Sequence, residues 1–215
     1  MAVDLPSGPA EVSGLWSTAD VSHATVALAH GAGAGMDHPF LTGLSEALTA
    51  QGVSVLRFVF PYVEAGRRMP GPAAHALATW RGVEAWLAAH APGAYAAVGK
   101  SYGGRMASVA TAEGLIAPER LVYLGYPLHP PGRPDRPRSA HLPAITVPQL
   151  FVEGEDDPFI APRAQFDEVV ASCRDARVHW IAGGNHSFEV RGARRPAAEI
   201  GAGLAEVVAA FARGR

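Results

Sequence analysis

The chain has a single cysteine, a single lysine, no long apolar run and no basic cluster beyond short arginine pairs. Each shortage removes a class of function. A lone Cys173 rules out an internal disulfide and a multi-cysteine metal site, and its place late in a helical stretch suits a structural thiol. No segment approaches the ~18 consecutive apolar residues of a membrane span. The first residues, MAVDLPSGPAEVSG, carry acids and prolines where a secretory signal needs a basic start and an apolar run, so the expected location is cytoplasmic. A net charge of −2, with no tail of one sign, offers nucleic acid nothing to hold. No histidine pair has HExxH spacing, and no metal or cofactor is expected. Oligomeric state is not legible in the residues.

What is present is the composition of one globular domain: 215 residues, 48% hydrophobic and 18% charged. Short apolar runs at 24–29, 53–60, 95–98, 120–126, 149–153 and 177–181 read as buried strands. Between several of them lie helical patterns at 38–50, 73–89 and 162–173, and the segment 196–213 reads as one closing amphipathic helix. Strands alternating with helices at this pace predict an α/β fold with a doubly wound, mostly parallel sheet. Residues 1–20 read as an N-terminal edge segment with a short strand at 12–16, and 63–72 as a loop. Residues 127–147 read as a short connection over the site, too brief for an elaborate lid. The domain expected is therefore the whole of 1–215.

The stretch from Tyr95 to Met106, YAAVGKSYGGRM, stands apart because an apolar run ends in Gly-x-Ser-x-Gly and passes into a helical pattern. In a chain with 24 glycines that pattern alone is weak, and its strand–turn–helix setting carries the weight. One reading is a nucleophile elbow, a tight turn in which small neighbours let the Ser101 hydroxyl stand clear of the sheet. The other is an ordinary loop with a serine N-cap. A phosphate-binding P-loop needs glycine at position 94, where the chain has Ala94.

In a doubly wound sheet the reactive groups lie on loops beyond the carboxyl ends of the strands. Four such loops carry chemistry here: His30-Gly31-Ala32-Gly33-Ala34-Gly35, Ser101, the pair Asp156 and Asp157, and His186. The glycine-rich turn suits backbone amides facing an oxyanion, or is merely flexible. Serine needs a neutral imidazole to take its proton, and the imidazole needs a carboxylate to fix its tautomer. Ser…Asp…His is the chain order of α/β-hydrolases. His129 and His141 lie in the connection and either line a substrate or are solvated. Arg57 and Tyr62, with Arg67 and Arg68, either line the cavity mouth and favour an anionic substrate or form a solvated surface.

The motifs HGAGAG at 30–35, RFVFPY at 57–62, GKSYGGRMAS at 99–108, GYPLHPPGRP at 125–134, LFVEGEDDPF at 150–159 and GGNHSF at 183–188 together resemble one family. It is the α/β-hydrolases of the dienelactone-hydrolase-like kind, in the small branch that includes testis-expressed protein thirty and subunit three of the NSL chromatin complex. The resemblance runs from about Ala24 to the C-terminal helix. It implies Ser101 as nucleophile, Asp157 as acid and His186 as base, with the amides of Tyr102 and of the 31–33 turn, centred on Ala32, as the oxyanion hole. Asp157 is preferred to Asp156 because the family pattern places the acid three residues after the strand-ending glycine, and Pro158 disfavours helical backbone before it. The implied activity is hydrolysis of small carboxylic esters or thioesters through an acyl-enzyme on Ser101, with a small-molecule ester as substrate and neither nucleic acid nor membrane as partner. The competing expectation, suggested by the chromatin relative, is a hydrolase-fold interaction module. A transferase or lyase on the same fold is a third. True dienelactone hydrolases use cysteine where this chain has Ser101, so their lactone chemistry does not transfer.

Overall fold

Runs of apolar residues too short to be buried helices become the inner strands of one sheet. A computed structural model describes all residues, 1–215. The chain opens with β1 (Ala2–Leu5), β2 (Gly8–Glu11), β3 (Gly14–Ser17) and β4 (Ala24–Ala29), then α1 (Pro39–Ala50), β5 (Val53–Phe58), α2 (Pro61–Glu64) and α3 (Ala73–His90). It continues through β6 (Ala96–Lys100), α4 (Tyr102–Ala112), β7 (Arg120–Leu124), β8 (Gln149–Gly154), α5 (Arg163–Ser172) and β9 (Ala176–Ile181) to α6 (Ala197–Ala202) and α7 (Ala205–Ala212).

Seven strands form the main sheet in the order β3-β5-β4-β6-β7-β8-β9. Only β3 runs antiparallel to its neighbour; the other pairs are parallel. Every residue of β5 and β8 is buried, as a sheet covered on both faces requires. One apolar layer gathers Trp80 and Val83 of α3 with Met106 and Ala107 of α4, and the other gathers Leu44 and Leu48 of α1 with Val208 and Ala209 of α7. The chain leaves β4 toward β5 on one side and returns to β6 on the other. Connections after β4 and β6 therefore diverge, and a crevice opens beyond their carboxyl ends, where such sheets bind ligands.

Some elements depart from the sequence reading. Residues 2–11 form a separate two-stranded hairpin rather than an edge segment of the main sheet, with Val3 packed on Val12 and Val59. Prolines and alternating exposure hide this hairpin from a search for apolar runs. The expected closing helix is two helices, broken around Gly203 and Leu204. The expected 63–72 loop begins inside the single-turn α2. The 127–147 connection holds one short 3-10 turn, Leu142–Ala144. No helix is long and apolar enough to cross a membrane. Cys173 caps α5, its thiol turned back to the Val169 carbonyl at 3.4 Å.

Helix α4 begins at the crevice and lies flush on the sheet because Gly103 has no side chain. A Cβ there would meet the His30 carbonyl oxygen at 2.6 Å and the Ala29 Cβ at 2.7 Å, neither of which can yield without moving β4. Gly103→Ala is expected to destabilise the fold by about 1–3 kcal/mol, the usual cost of forcing extra volume into a packed core. In a chain of this size that is a fall of several degrees in Tm by calorimetry. An unchanged Tm would show that α4 is free to lift from β4.

Candidate active site

Ser101 is held in a backbone conformation that side chains avoid. It has φ 48° and ψ −110°, and Phe188 is the only other non-glycine residue with positive φ. Such a residue costs on the order of 1–3 kcal/mol and persists only where its surroundings over-determine it. Here the Ser101 amide donates to the Leu124 carbonyl at 3.0 Å, and its carbonyl accepts the Arg105 amide at 3.0 Å, so β7 and α4 fix both sides of the residue. The consequence is a hydroxyl projecting from the sheet edge at the N-terminus of a helix.

Two other loops bring their side chains to it. The His186 Nε2 atom lies 2.9 Å from Ser101 Oγ, and its Nδ1 lies 2.6 Å from Asp157 Oδ2. Asp157 is buried, and its other oxygen accepts the Phe159 amide at 2.8 Å. One carboxylate oxygen is thus held by backbone and the other meets the imidazole. Asp156 is exposed, so the geometry selects Asp157 of the pair. The His186 ring stacks on Phe159 at 4.0 Å between centroids. Its loop is organised by Asn185, whose side-chain oxygen accepts the amides of Ser187 at 2.8 Å and Glu189 at 3.0 Å. Phe188, at φ 63°, turns inward and stacks on Phe40. In this relay the Nδ1–H donates to the carboxylate, and the serine hydroxyl donates to an unprotonated Nε2.

Beneath the relay lies the chain's one lysine. Lys100 Nζ donates to the His186 carbonyl at 2.7 Å. Desolvation pulls its pKa down to about 8, opposed by the charges of Glu153 and Asp157. Glu153 is buried, accepts the Tyr126 amide at 2.5 Å through Oε1, and leaves Oε2 without a partner. Burial pushes that carboxyl well above the ordinary range, the neighbouring Asp157 charge adding to the effect. The His186 pKa is lowered, first by burial and further by the Lys100 charge, against the raising influence of Asp157. Gly125 makes room for this arrangement, since a Cβ on it would stand 3.0 Å from Lys100 Nζ and 3.3 Å from the His186 ring.

The glycine-rich turn after β4 is propped from below. His30 is fully buried, with Nδ1 2.8 Å from the Gly31 carbonyl and Nε2 accepting the Phe60 amide at 3.1 Å. Burial lowers its pKa and keeps it neutral, as a residue that both donates and accepts must be. A Cβ on Gly31 would lie 3.7 Å from Ser101 Cβ, so the turn passes directly beside the serine. The Ala32 amide has no acceptor within the chain. The Tyr102 amide belongs to the first turn of α4, where N–H groups lack intrahelical partners.

A cavity of about 500 Å³ opens at Ser101 and His186, within the size range of small-molecule sites. None of the four residues expected to line it does so. Arg57 is buried and donates to the Met36 carbonyl at 2.6 Å. Tyr62 is buried against the Gly31 carbonyl at 3.4 Å and so supports the turn instead of facing substrate. His129 is buried with Nδ1 on the Pro130 carbonyl, and His141 is drawn to Ser108 Oγ at 2.7 Å on α4. In each case a polar atom near the site finds a nearer backbone or hydroxyl partner. The walls are built instead by Phe40, Leu41, Phe159 and Ile200 with the polar His38, Arg105, Arg138 and Glu189. Arg105 had a sequence signal, its place in GKSYGGRMAS; Arg138 had none. No group of three His, Cys, Asp or Glu side chains is gathered in a way that would hold a metal ion.

Comparison with known proteins identifies the family and the fold. A family profile described as "Alpha/beta hydrolase domain" matches residues 22–212. Among solved structures, a lidless α/β serine hydrolase from Xanthomonas campestris superposes with a TM-score of 0.73 at 21% identity, covering 98% of this chain and 92% of that one. A dienelactone hydrolase from Anabaena variabilis gives 0.73 at 20% identity, covering 97% and 93%. The esterase domain of a Rhodothermus marinus protein gives 0.70 at 17% identity, covering 99% and 96%. At these identities the structural likeness establishes the fold.

The electrostatics of the imidazole can be measured directly. By nuclear magnetic resonance titration His186 is expected to protonate below the ordinary value of about 6.5. Lys100→Met, which removes a repelling charge, is expected to raise that value, and Asp157→Asn, which removes an attracting one, to lower it further. A downward shift on Lys100→Met would show that the ammonium does not act on the ring.

Proposed function

We propose that this chain, which belongs to the alpha/beta hydrolase family, cleaves small carboxylic esters or thioesters through an acyl-enzyme on Ser101. The observation that carries this reading is the hydrogen-bonded relay from Asp157 through His186 to Ser101, with distances of 2.6 and 2.9 Å, at the mouth of the cavity. Its motifs at 99–108 and 150–159 support placing it beside the small branch that includes testis-expressed protein thirty and NSL complex subunit three.

In this mechanism His186 takes the Ser101 proton as Oγ attacks the substrate carbonyl. The resulting oxyanion accepts hydrogen bonds from the Tyr102 and Ala32 amides, which are otherwise uncommitted and sit at a helix N-terminus and a glycine-rich turn. Collapse of the tetrahedral intermediate expels the alcohol or thiol, which receives the proton from His186. Water then repeats the sequence on the acyl-enzyme and releases the acid. Asp157 holds the tautomer in which Nε2 is free and stabilises the imidazolium.

The base must be neutral to work, so the rate falls as His186 protonates. Because its pKa is lowered in the folded chain, the acid limb of the kcat/KM profile is expected below about pH 6.5. A limb above that value would contradict the environment described for the ring.

Labelling by a fluorophosphonate probe, with turnover of short p-nitrophenyl esters, tests the reading. The wild type is expected to label, and Ser101→Ala to lose both label and activity, with kcat down by about 10³-fold or more. Asp157→Asn is expected to fall by about 10⁴-fold in kcat with its fold intact. Esterase turnover surviving in Ser101→Ala would refute the acyl-enzyme. A folded wild type that neither labels nor turns over any ester would favour the interaction module.

A further inference from the structure

The cavity beside Ser101 holds more positive charge than ester cleavage requires. Three cationic side chains line it, Lys100, Arg105 and Arg138, against one acid, Glu189. Lys100 is committed to the His186 carbonyl. The two arginines are committed to nothing. Arg105, in the first turns of α4, is half-buried, with its Nε enclosed and without an acceptor anywhere in the chain. Arg138 reaches the same space from the connection. Its backbone is fixed on both sides, the amide donating to the Leu128 carbonyl at 2.7 Å and the carbonyl accepting the Tyr126 hydroxyl at 2.8 Å.

No neighbouring group supplies the missing counter-charge. Glu189 forms no ion pair with either arginine; its carboxylate accepts the Asn185 side-chain amide at 3.1 Å. His141, bound to Ser108, is neutral, pulled down to about 4 by burial and by the Arg105 charge. Tyr102 and Tyr126 are protonated phenols, each raised chiefly by burial. His38 is exposed at the N-cap of α1. The like charge of Arg138 adds to desolvation in opposing the Arg105 cation, so the pair pays for its proximity as long as no anion is bound. Two planar guanidinium forks facing one cavity match the geometry of a carboxylate or phosphate. The apolar walls formed by Phe40, Leu41 and Phe159 would take hydrocarbon beside it.

We propose that Arg105 and Arg138 form an anion-binding subsite of this cavity, and that the ester cleaved at Ser101 carries an oxyanionic group, carboxylate or phosphate, on its acyl or leaving half. The second part rests on the hydrolase reading given above; the subsite itself does not.

The test compares matched substrates: p-nitrophenyl half-esters of succinate, glutarate and adipate against the butanoate, pentanoate and hexanoate, and 4-carboxyphenyl acetate against phenyl acetate. In the wild type at least one charged member is expected to exceed its neutral counterpart by about tenfold or more in kcat/KM, through KM, an excess that shrinks as ionic strength rises. In R105M/R138M that ratio is expected to fall to near one. Neutral esters hydrolysed with no charged member preferred, or a preference that survives in the double variant, would overturn the proposal. A second arm needs no turnover: calorimetric binding of glutarate, inorganic phosphate and the neutral glutaramide to Ser101→Ala protein. Binding of either anion but not of glutaramide, lost with the arginines, would support the subsite even if every ester failed, and would say which oxyanion it prefers. Binding of neither anion would overturn it. Should the double variant melt at a markedly lower temperature, Arg138→Met alone, at an exposed position, carries both arms.

Discussion

The site depends on one constraint: the backbone of Ser101 is forced to positive φ where β6 turns into α4. Strain of on the order of 1–3 kcal/mol is sustained there because three elements oppose its release. The helix cannot lift, since Gly103 packs its backbone against β4, and the residue cannot relax, since its amide and carbonyl are bonded to β7 and α4. Given that backbone, the loop after β9 presents an imidazole to the hydroxyl, and the loop after β8 presents a carboxylate to the imidazole. The parallel pairing of β7, β8 and β9 brings those loops to the same edge of the sheet.

Beneath the relay, burial is balanced by charge. Burial works against the charged forms of Glu153, Lys100 and His186, while the Asp157 charge favours the cations of Lys100 and His186 and disfavours a second anion on Glu153. The lysine ammonium ties the His186 backbone in place and weighs against a charged ring above it. A neutral ring is what a general base requires, so on the proposed function the same contact serves both position and reactivity. Lysine occurs once in this chain, at a position where burial works against its charge.

The histidines and arginines near the site show how competition for partners sorts polar residues. His30, His129 and His141, with Tyr62 and Arg57, all end on backbone or hydroxyl oxygens and leave the cavity to others. Those that satisfy themselves become supports, as His30 does for the turn beside Ser101. Arg105 finds no such partner, and so remains available to whatever enters.

Several features were legible in the residues alone. Apolar runs such as ATVALA and RLVYL can be satisfied only as buried strands, and their alternation with helices leads to a parallel sheet with its loops at one edge. Small residues around Ser101 marked the tight turn, and Asp157 and His186 follow it in an order that such a sheet brings together. Pairing and burial are properties of the folded chain, and there the residues were silent. The hairpin at 2–11 is held by long-range contact with Val59 and not by its own pattern, and the break between α6 and α7 lies within an apolar periodicity that reads as continuous. Asp157 and Asp156 are neighbours in sequence, yet only the tertiary structure buries one and aims it at His186. The side chains of the cavity wall were decided the same way, because which polar atom reaches a cavity depends on which nearer partner it finds, and that is a matter of distances across the chain.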